Sequence, residues 1–166
     1  MRIGAYRCSH LPVLVKVVHM TAGPVLEMGM GFCSSPYLHW ACYPTKRRLV
    51  SYENNSIYYD FARSWQADFH EVHCIARDGW DDVDLGEQWA VAFVDHSPNC
   101  RRNLDVKRLL HADYVVIHDA ENSSDGHYHL ADLRHLFKYR YKYTPSPMPY
   151  TSLWSNKYDV RGFQVD

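Results

Sequence analysis

The chain has 166 residues, of which 46% are hydrophobic and 22% are charged, and its formal net charge is -1. This composition is typical of one folded domain with its own hydrophobic core and excludes a disordered chain. The longest basic run is Lys46-Arg47-Arg48. Because tight nucleic-acid binding needs a basic surface, we do not expect a nucleic-acid partner.

The cysteines and the apolar segments indicate the compartment. The chain has five scattered cysteines and no Cys-x-x-Cys pair, which predicts free thiols in a reducing compartment and argues against both a disulfide framework and a zinc site. The apolar stretch 11–20 is too short to span a bilayer, contains Lys16 and does not resemble a signal peptide. We therefore expect a cytoplasmic protein that does not contact a membrane.

Predicted strands and helices alternate along the chain. A helix at 9–20, capped by Ser9, precedes a core at 23–160, and we expect residues 1–166 to form one domain. Strands are predicted at 25–28, 48–53, 69–75, 88–95 and 113–119, with helices starting at Ser35, Ser56, Arg101 and about Leu130. Two further strands are predicted between 138 and 160. The alternation predicts an α/β fold whose parallel sheet is covered on both faces, with an antiparallel hairpin at one edge.

A glycine turn follows the first predicted strand in the segment VLEMGMG, which holds Glu27, Gly29 and Gly31. In such sheets ligands bind beyond the carboxyl ends of the strands. A dinucleotide fingerprint needs a third glycine where this chain has Ser34, and the carboxylate of Glu27 would repel a phosphate. The turn therefore favours a ligand that carries positive charge and no phosphate.

The same segment resembles motif I of the class I S-adenosylmethionine-dependent methyltransferases, and VSYEN at 50–54 resembles their second motif. The resemblance covers about 23–160. It implies a three-layer, Rossmann-like sandwich with a mostly parallel seven-stranded sheet and one antiparallel strand near the C-terminus. It also implies S-adenosylmethionine as cofactor. The implied cofactor-binding residues are Glu27, Gly29 and Gly31 at the methionine part, Glu53 and Asn54 at the ribose, Asp78 and Trp80 at the adenine, and Asp95.

The ends of the fourth and fifth predicted strands resemble those of metal-dependent O-methyltransferases of the catechol type. In that group an aspartate after strand four and an Asp-Asn pair after strand five hold Mg²⁺. Asp95 and Asp119 match the two aspartates, but Ala120 stands where the asparagine should be, and Glu121 or Asn122 would have to replace it. The resemblance thus leaves Mg²⁺ open, with Asp95, Asp119 and Glu121 as ligands.

Four ionisable residues at these two strand ends are the predicted catalytic group: Asp95, His96, His118 and Asp119. Each histidine adjoins an aspartate and is a candidate general base for a hydroxyl or amine acceptor. Because Ala120 occupies the third metal position, the metal-free arrangement, with His96 or His118 as the base, is the favoured one.

These observations predict methyl transfer from S-adenosylmethionine to an oxygen or nitrogen of a small-molecule or sugar acceptor. The alternative is a non-catalytic module that binds the same cofactor, and a NAD(P)-binding oxidoreductase is disfavoured by Glu27 and Ser34. Little chain precedes the first strand, so the pocket is expected to be open unless the loop 120–127 or a second subunit of a homo-oligomer covers it.

Overall fold

The computed structural model describes residues 8–121, 128–146 and 149–165. Its strands are β1 (Val25–Met28), β2 (Leu49–Glu53), β3 (His70–Cys74), β4 (Val91–Val94), β5 (Tyr114–His118), β6 (Tyr139–Tyr143) and β7 (Thr151–Ser155). Its α-helices are α1 (Leu11–His19), α2 (Ser34–Cys42), α3 (Ser56–Ala62) and α4 (Arg102–Arg108).

The seven strands form one sheet in the order β3-β2-β1-β4-β5-β7-β6. Neighbouring strands from β3 through β5 run parallel, whereas β7 is antiparallel to both β5 and β6. This arrangement confirms the predicted Rossmann-like fold with its antiparallel strand near the C-terminus. The order reverses between β1 and β4, and such a reversal opens a crevice at the carboxyl ends of the strands.

Each face of the sheet carries its own hydrophobic cluster, because successive side chains of a strand point to opposite faces. On one face, Val91 and Phe93 of β4 pack with Leu14 of α1 and Leu38 of α2. On the other face, the cluster includes Val106 of α4 and three tryptophans. The β4 residues in that second cluster are Ala92 and Val94. Both β4 and β5 are buried on both faces, which explains their continuous apolar sequences.

Three local predictions differ from the structure. Helix α1 begins at Leu11 without a side-chain cap, because the hydroxyl of Ser9 instead lies 3.1 Å from Nε2 of His118. Helix α3 is capped by Asn55, whose side chain accepts a hydrogen bond from the amide of Ile57. The predicted helix near Leu130 is a 3₁₀-helix, Leu130–Leu136.

The cysteine prediction was wrong in one respect. Cys8 and Cys33 form a disulfide that ties the segment before α1 to the start of α2, whereas Cys42, Cys74 and Cys100 are free. Two cysteines that are 25 positions apart carry no pairing signal in the sequence. In the described part of the chain, no helix combines the length and apolar character needed to cross a membrane.

Candidate functional site

A cavity of about 330 Å³ lies at the carboxyl ends of the central strands, where the strand order reverses. Its wall combines the turn after β1, the ends of β2, β4 and β5, and the residue before α1. Among the described residues, three carboxylates and no lysine or arginine line it. The lining residues that matter below are His10, Gly31, Phe32, Glu53, Asn55, Tyr58, Asp95, His118 and Asp119.

Gly29 adopts a φ of +93°, a backbone conformation that residues other than glycine rarely adopt. A Cβ atom added there would lie 2.5 Å from the amide nitrogen of His96. The sequence suggested that Gly29 leaves space for a ligand, but the structure shows that it leaves space for the main chain after β4. Gly31, by contrast, lines the cavity, and a Cβ added to it would meet the Ser34 hydroxyl at 3.3 Å.

Glu27 is fully buried beneath the glycine turn and does not line the cavity. Its carboxylate accepts hydrogen bonds from the hydroxyls of Ser35, at 2.9 and 3.1 Å, and of Ser51, at 2.7 Å. The Ser35 oxygen in turn accepts a hydrogen bond from the amide of Gly31. Burial raises the pKa of Glu27 to about 7. Glu27 therefore holds the turn in place from below.

Glu53 ends β2 and lines the cavity with only 4% of its surface exposed. One carboxylate oxygen accepts hydrogen bonds from the amides of Asn54 and Asn55, and the other accepts one from Met30 at 2.8 Å. Burial raises the pKa of Glu53, although these hydrogen bonds oppose the shift. A carboxylate has about four acceptor positions, so about one remains for a ligand hydroxyl.

Asp95, His118 and Asp119 form the polar end of the cavity. Nδ1 of His118 lies 3.2 Å from Oδ2 of Asp95, and the guanidinium of Arg102 contacts Asp95 at 3.0 Å and Asp119 at 3.1 Å. Burial alone would raise the pKa of Asp95, but the charges of His118 and Arg102 outweigh it and hold that pKa below its usual value. Conversely, burial alone would lower the pKa of His118, and Asp95 raises it.

His10 adds a second ring to this end of the cavity, and no sequence pattern predicted it. The residue is 3% exposed, and its ring lies edge-on to His118 at 4.6 Å between centroids. Neither ring nitrogen has a hydrogen-bond partner among the described residues. Burial lowers the pKa of His10 to about 3, so its ring is neutral near pH 7.

Two predicted site residues lie in the core instead. His96 is 1% exposed, with Nε2 3.1 Å from the buried carboxylate of Asp105 in α4, and burial lowers its pKa. It therefore lies on the other face of the sheet from Asp95 and cannot reach an acceptor in the cavity. Trp80 is fully buried, packs on His96 with 4.2 Å between ring centroids, and donates its indole N–H to the carbonyl of Ser97. It has no free face for adenine.

Asn54 and Asp78 also lie outside the cavity lining. The Asn54 amide donates to the carbonyls of Arg77, at 3.0 Å, and of Ser97, at 2.6 Å, and so joins the loops after β3 and β4. Asp78 is exposed at the start of the 3₁₀-helix Gly79–Asp82. Rings near the Glu53 end come from Phe32 and Tyr58, whose centroids are 5.3 Å apart. Their only sequence signal is that they follow the ends of β1 and β2.

Of the three residues that the resemblance offers as Mg²⁺ ligands, Glu121 lies apart from Asp95 and Asp119. Glu121 is buried outside the cavity lining, where one of its oxygens accepts a hydrogen bond from the amide of Tyr150. In the described chain, the only group of three ligand-type side chains within 4.8 Å of one another is His10, Asp95 and His118. Glu121 therefore does not complete the catechol-type Mg²⁺ set, and the alternative ligand Asn122 lies outside the described residues.

Comparison with known proteins shows the fold class. No protein-family model and no curated protein matches the sequence. Among solved structures, an O-methyltransferase from Bacillus cereus in complex with S-adenosylhomocysteine matches at 17% identity and a TM-score of 0.65, over 93% of this chain and 82% of that one. A putative O-methyltransferase from Klebsiella pneumoniae matches at 16% identity and 0.63, over 93% and 82%.

The N-terminal domain of human METTL16 is also similar, at 12% identity and a TM-score of 0.67, over 96% of this chain and 72% of that one. The structural neighbours are thus methyltransferases, and a cofactor product is bound in one of them. The chain shares the fold of the class I S-adenosylmethionine-dependent methyltransferases over most of its length.

Proposed function

We propose that this chain catalyses methyl transfer from S-adenosylmethionine to an oxygen or nitrogen of a small-molecule or sugar acceptor. The observation that carries the proposal is the cavity at the strand-order reversal, which Glu53, Asp95 and Asp119 line without a described lysine or arginine. Such a cavity attracts a ligand with sulfonium and ammonium charges, and it repels the pyrophosphate of a dinucleotide.

Glu53 and the glycine turn form the cofactor end of this site. Glu53 has about one acceptor position left after its three main-chain hydrogen bonds, which suits a ribose hydroxyl. Gly31 keeps the adjoining wall open, and Glu27 holds the turn through Ser35 rather than by touching the ligand. The rings of Phe32 and Tyr58 supply the apolar surface that a base needs.

Asp95, His118 and Asp119 form the acceptor end. In the reaction a bond forms from the methyl carbon to the acceptor oxygen or nitrogen as the carbon–sulfur bond breaks and S-adenosylhomocysteine leaves, and the acceptor's proton passes to His118, the candidate base. These three residues and His10 are the described ionisable groups at this end of the cavity, and the Asp95 carboxylate 3.2 Å from His118 stabilises the protonated His118 ring. His96 has no part in this step, because it lies beneath α4.

An acceptor screen tests the proposal. The protein is incubated with S-adenosylmethionine carrying a labelled methyl group and a panel of phenols, catechols, sugars and amines, and S-adenosylhomocysteine release is followed. We expect turnover on at least one acceptor and its loss in Asp95→Ala, with the exposed Glu71→Gln as the control variant. Cofactor binding without turnover on any acceptor would favour the non-catalytic module, and binding of NADP in preference to S-adenosylhomocysteine would favour the oxidoreductase.

A further inference from the structure

The orphaned ring of His10 needs an explanation. A buried polar group without a hydrogen bond costs free energy, so native proteins retain few of them, and a bound ion is one common reason. Both nitrogens of His10 lack a partner among the described residues, although the ring lies against the cavity and beside His118. A catalytic pair of His118 and Asp95 would account for those two residues but leaves His10 unexplained.

The positions of three potential ligand atoms supply a second observation. One atom each from His10, Asp95 and His118 lies within 4.8 Å of the others, and the distance from His118 Nδ1 to Asp95 Oδ2 is 3.2 Å. Ligand atoms that surround one ion at about 2.1 Å lie about 3–4 Å apart. The pair of Asp95 and His118 already has this spacing, and His10 offers a ring nitrogen within 4.8 Å of both.

We propose that His10, Asp95 and His118 bind one divalent transition-metal ion at the polar end of the cavity. Two imidazoles and one carboxylate favour Zn²⁺, Fe²⁺ or Co²⁺ over Mg²⁺, which prefers an all-oxygen set. Three protein ligands leave coordination positions that face the cavity, where Asp119 and an acceptor oxygen lie within reach.

The surroundings of the three residues hold them in this arrangement. Arg102 contacts Oδ1 of Asp95 at 3.0 Å and leaves Oδ2 directed at His118. The Ser9 hydroxyl, 3.1 Å from Nε2 of His118, orients that ring so that Nδ1 points at Asp95. The disulfide between Cys8 and Cys33 ties the segment carrying His10 to the cavity wall. Partners of this kind orient ligands and raise metal affinity.

The metal site does not depend on the proposed function, and a bound ion would replace His118 as the group that activates the acceptor. A Lewis acid at this position would bind a hydroxyl of the acceptor and lower its pKa, and this use alone rests on the proposed methyl transfer. Binding of the ion can be measured without any acceptor. Failure of the metal site would leave His118 as the candidate base and the methyl-transfer proposal intact.

The test uses Co²⁺, because its visible absorption reports the ligand geometry. The full chain is dialysed against a chelator and titrated with Co²⁺, and Zn²⁺ and Mg²⁺ are then added as competitors. We expect about one ion per chain, with displacement by Zn²⁺ and not by Mg²⁺. His10→Gln and His118→Gln should each weaken Co²⁺ binding by at least about tenfold, and Ser9→Ala by about tenfold.

His73→Gln is the matched control, since His73 is an exposed imidazole on β3. Circular dichroism checks that each variant is folded, and His10→Asn replaces His10→Gln if the latter does not fold. Absence of Co²⁺ binding would overturn the metal site. Equal Co²⁺ affinities in the wild type, the His10 variants and His118→Gln would also overturn it. Titration of S-adenosylhomocysteine into the same metal-free protein shows separately whether the cofactor proposal holds.

Discussion

Two histidine–aspartate pairs lie at the end of β4, on opposite faces of the sheet. His118 and Asp95 are 3.2 Å apart at the cavity, and the Asp95 side chain is 25% exposed. His96 and Asp105 are 3.1 Å apart in the core, and both side chains are fully buried. The nitrogen–oxygen distances in the two pairs are similar, but only the first pair lines the cavity, where it can meet a ligand. A histidine beside a strand-end aspartate is therefore not a sufficient sign of a functional site.

Strand alternation explains the difference. Phe93 packs on the α1 face, so Asp95, two residues later, continues on that face and reaches the cavity. Val94 packs on the α4 face, so His96 continues toward Asp105. In β5, Val116 and therefore His118 share the α1 face. The next residue, Asp119, still lines the cavity, and its φ of 55° places it in the left-handed region where the strand ends.

The largest expected effect on stability comes from breaking the buried pair of His96 and Asp105. Asp105→Asn should lower the free energy of unfolding by about 3–5 kcal/mol, because His96, Arg101 and Arg108 would lose the buried carboxylate that all three contact. Urea denaturation measures this loss. Asp81→Asn is the control, since Asp81 also pairs with Arg101 but is exposed, and it should have little effect.

The cavity pair should respond differently to the same change. Asp95→Asn should lower the free energy of unfolding clearly less than Asp105→Asn does. Asp95 is partly exposed, and Arg102 keeps its contacts with Asp119 and with three main-chain carbonyls. Equal losses in the two variants would mean that both pairs are structural and would remove the distinction between them.

A third buried carboxylate, Glu27, should make stability depend on pH. Its pKa is raised to about 7 in the folded chain from 4.5 in an unfolded one, so the folded state holds the proton more tightly. The stability of the wild type relative to Glu27→Gln should therefore fall as the pH rises from about 4.5 to about 7, by about 3 kcal/mol in total, and then level off. Urea unfolding from about pH 5 to about pH 8 measures it, and parallel curves for variant and wild type would contradict the raised pKa.

Glu53 offers a comparison within the cavity. Glu53→Gln removes the charge but keeps an oxygen acceptor, and it should weaken S-adenosylhomocysteine binding by about 1.5–3 kcal/mol, or roughly tenfold or more. Calorimetry gives the affinity, with Glu71→Gln as the exposed control on β3. Unchanged affinity in a folded Glu53→Gln protein would place the ribose elsewhere.

The smallest effect concerns the conformation of Asp119. A valine at a φ of 55° is strained, whereas asparagine tolerates the left-handed region. Asp119→Val should therefore be about 1–2 kcal/mol less stable than Asp119→Asn, a difference that includes the oxygen acceptor that only asparagine keeps for Arg102. Equal urea midpoints would show that the end of β5 relaxes freely.

The sheet could be predicted well from the sequence, because buried strands have recognisable apolar sequences. Apolar β4 and β5, the glycine turn and the acid that ends β2 all lie where the pattern placed them. Where the chain is buried on both faces of the sheet, the sequence does not show to which face a side chain points. For that reason His96 and Trp80 were predicted to line the site, although they lie in the core. His10 and the disulfide of Cys8 with Cys33 depend on how the segment before α1 packs on the cavity, and no local pattern encodes that contact.

A crystal structure of the chain with S-adenosylhomocysteine tests the proposed cofactor site most directly. We expect the ligand in the cavity at the strand-order reversal, with the ribose at Glu53 and the sulfur directed toward Asp95 and His118. A ligand bound elsewhere, or a cavity that stays empty at saturating S-adenosylhomocysteine, would contradict it.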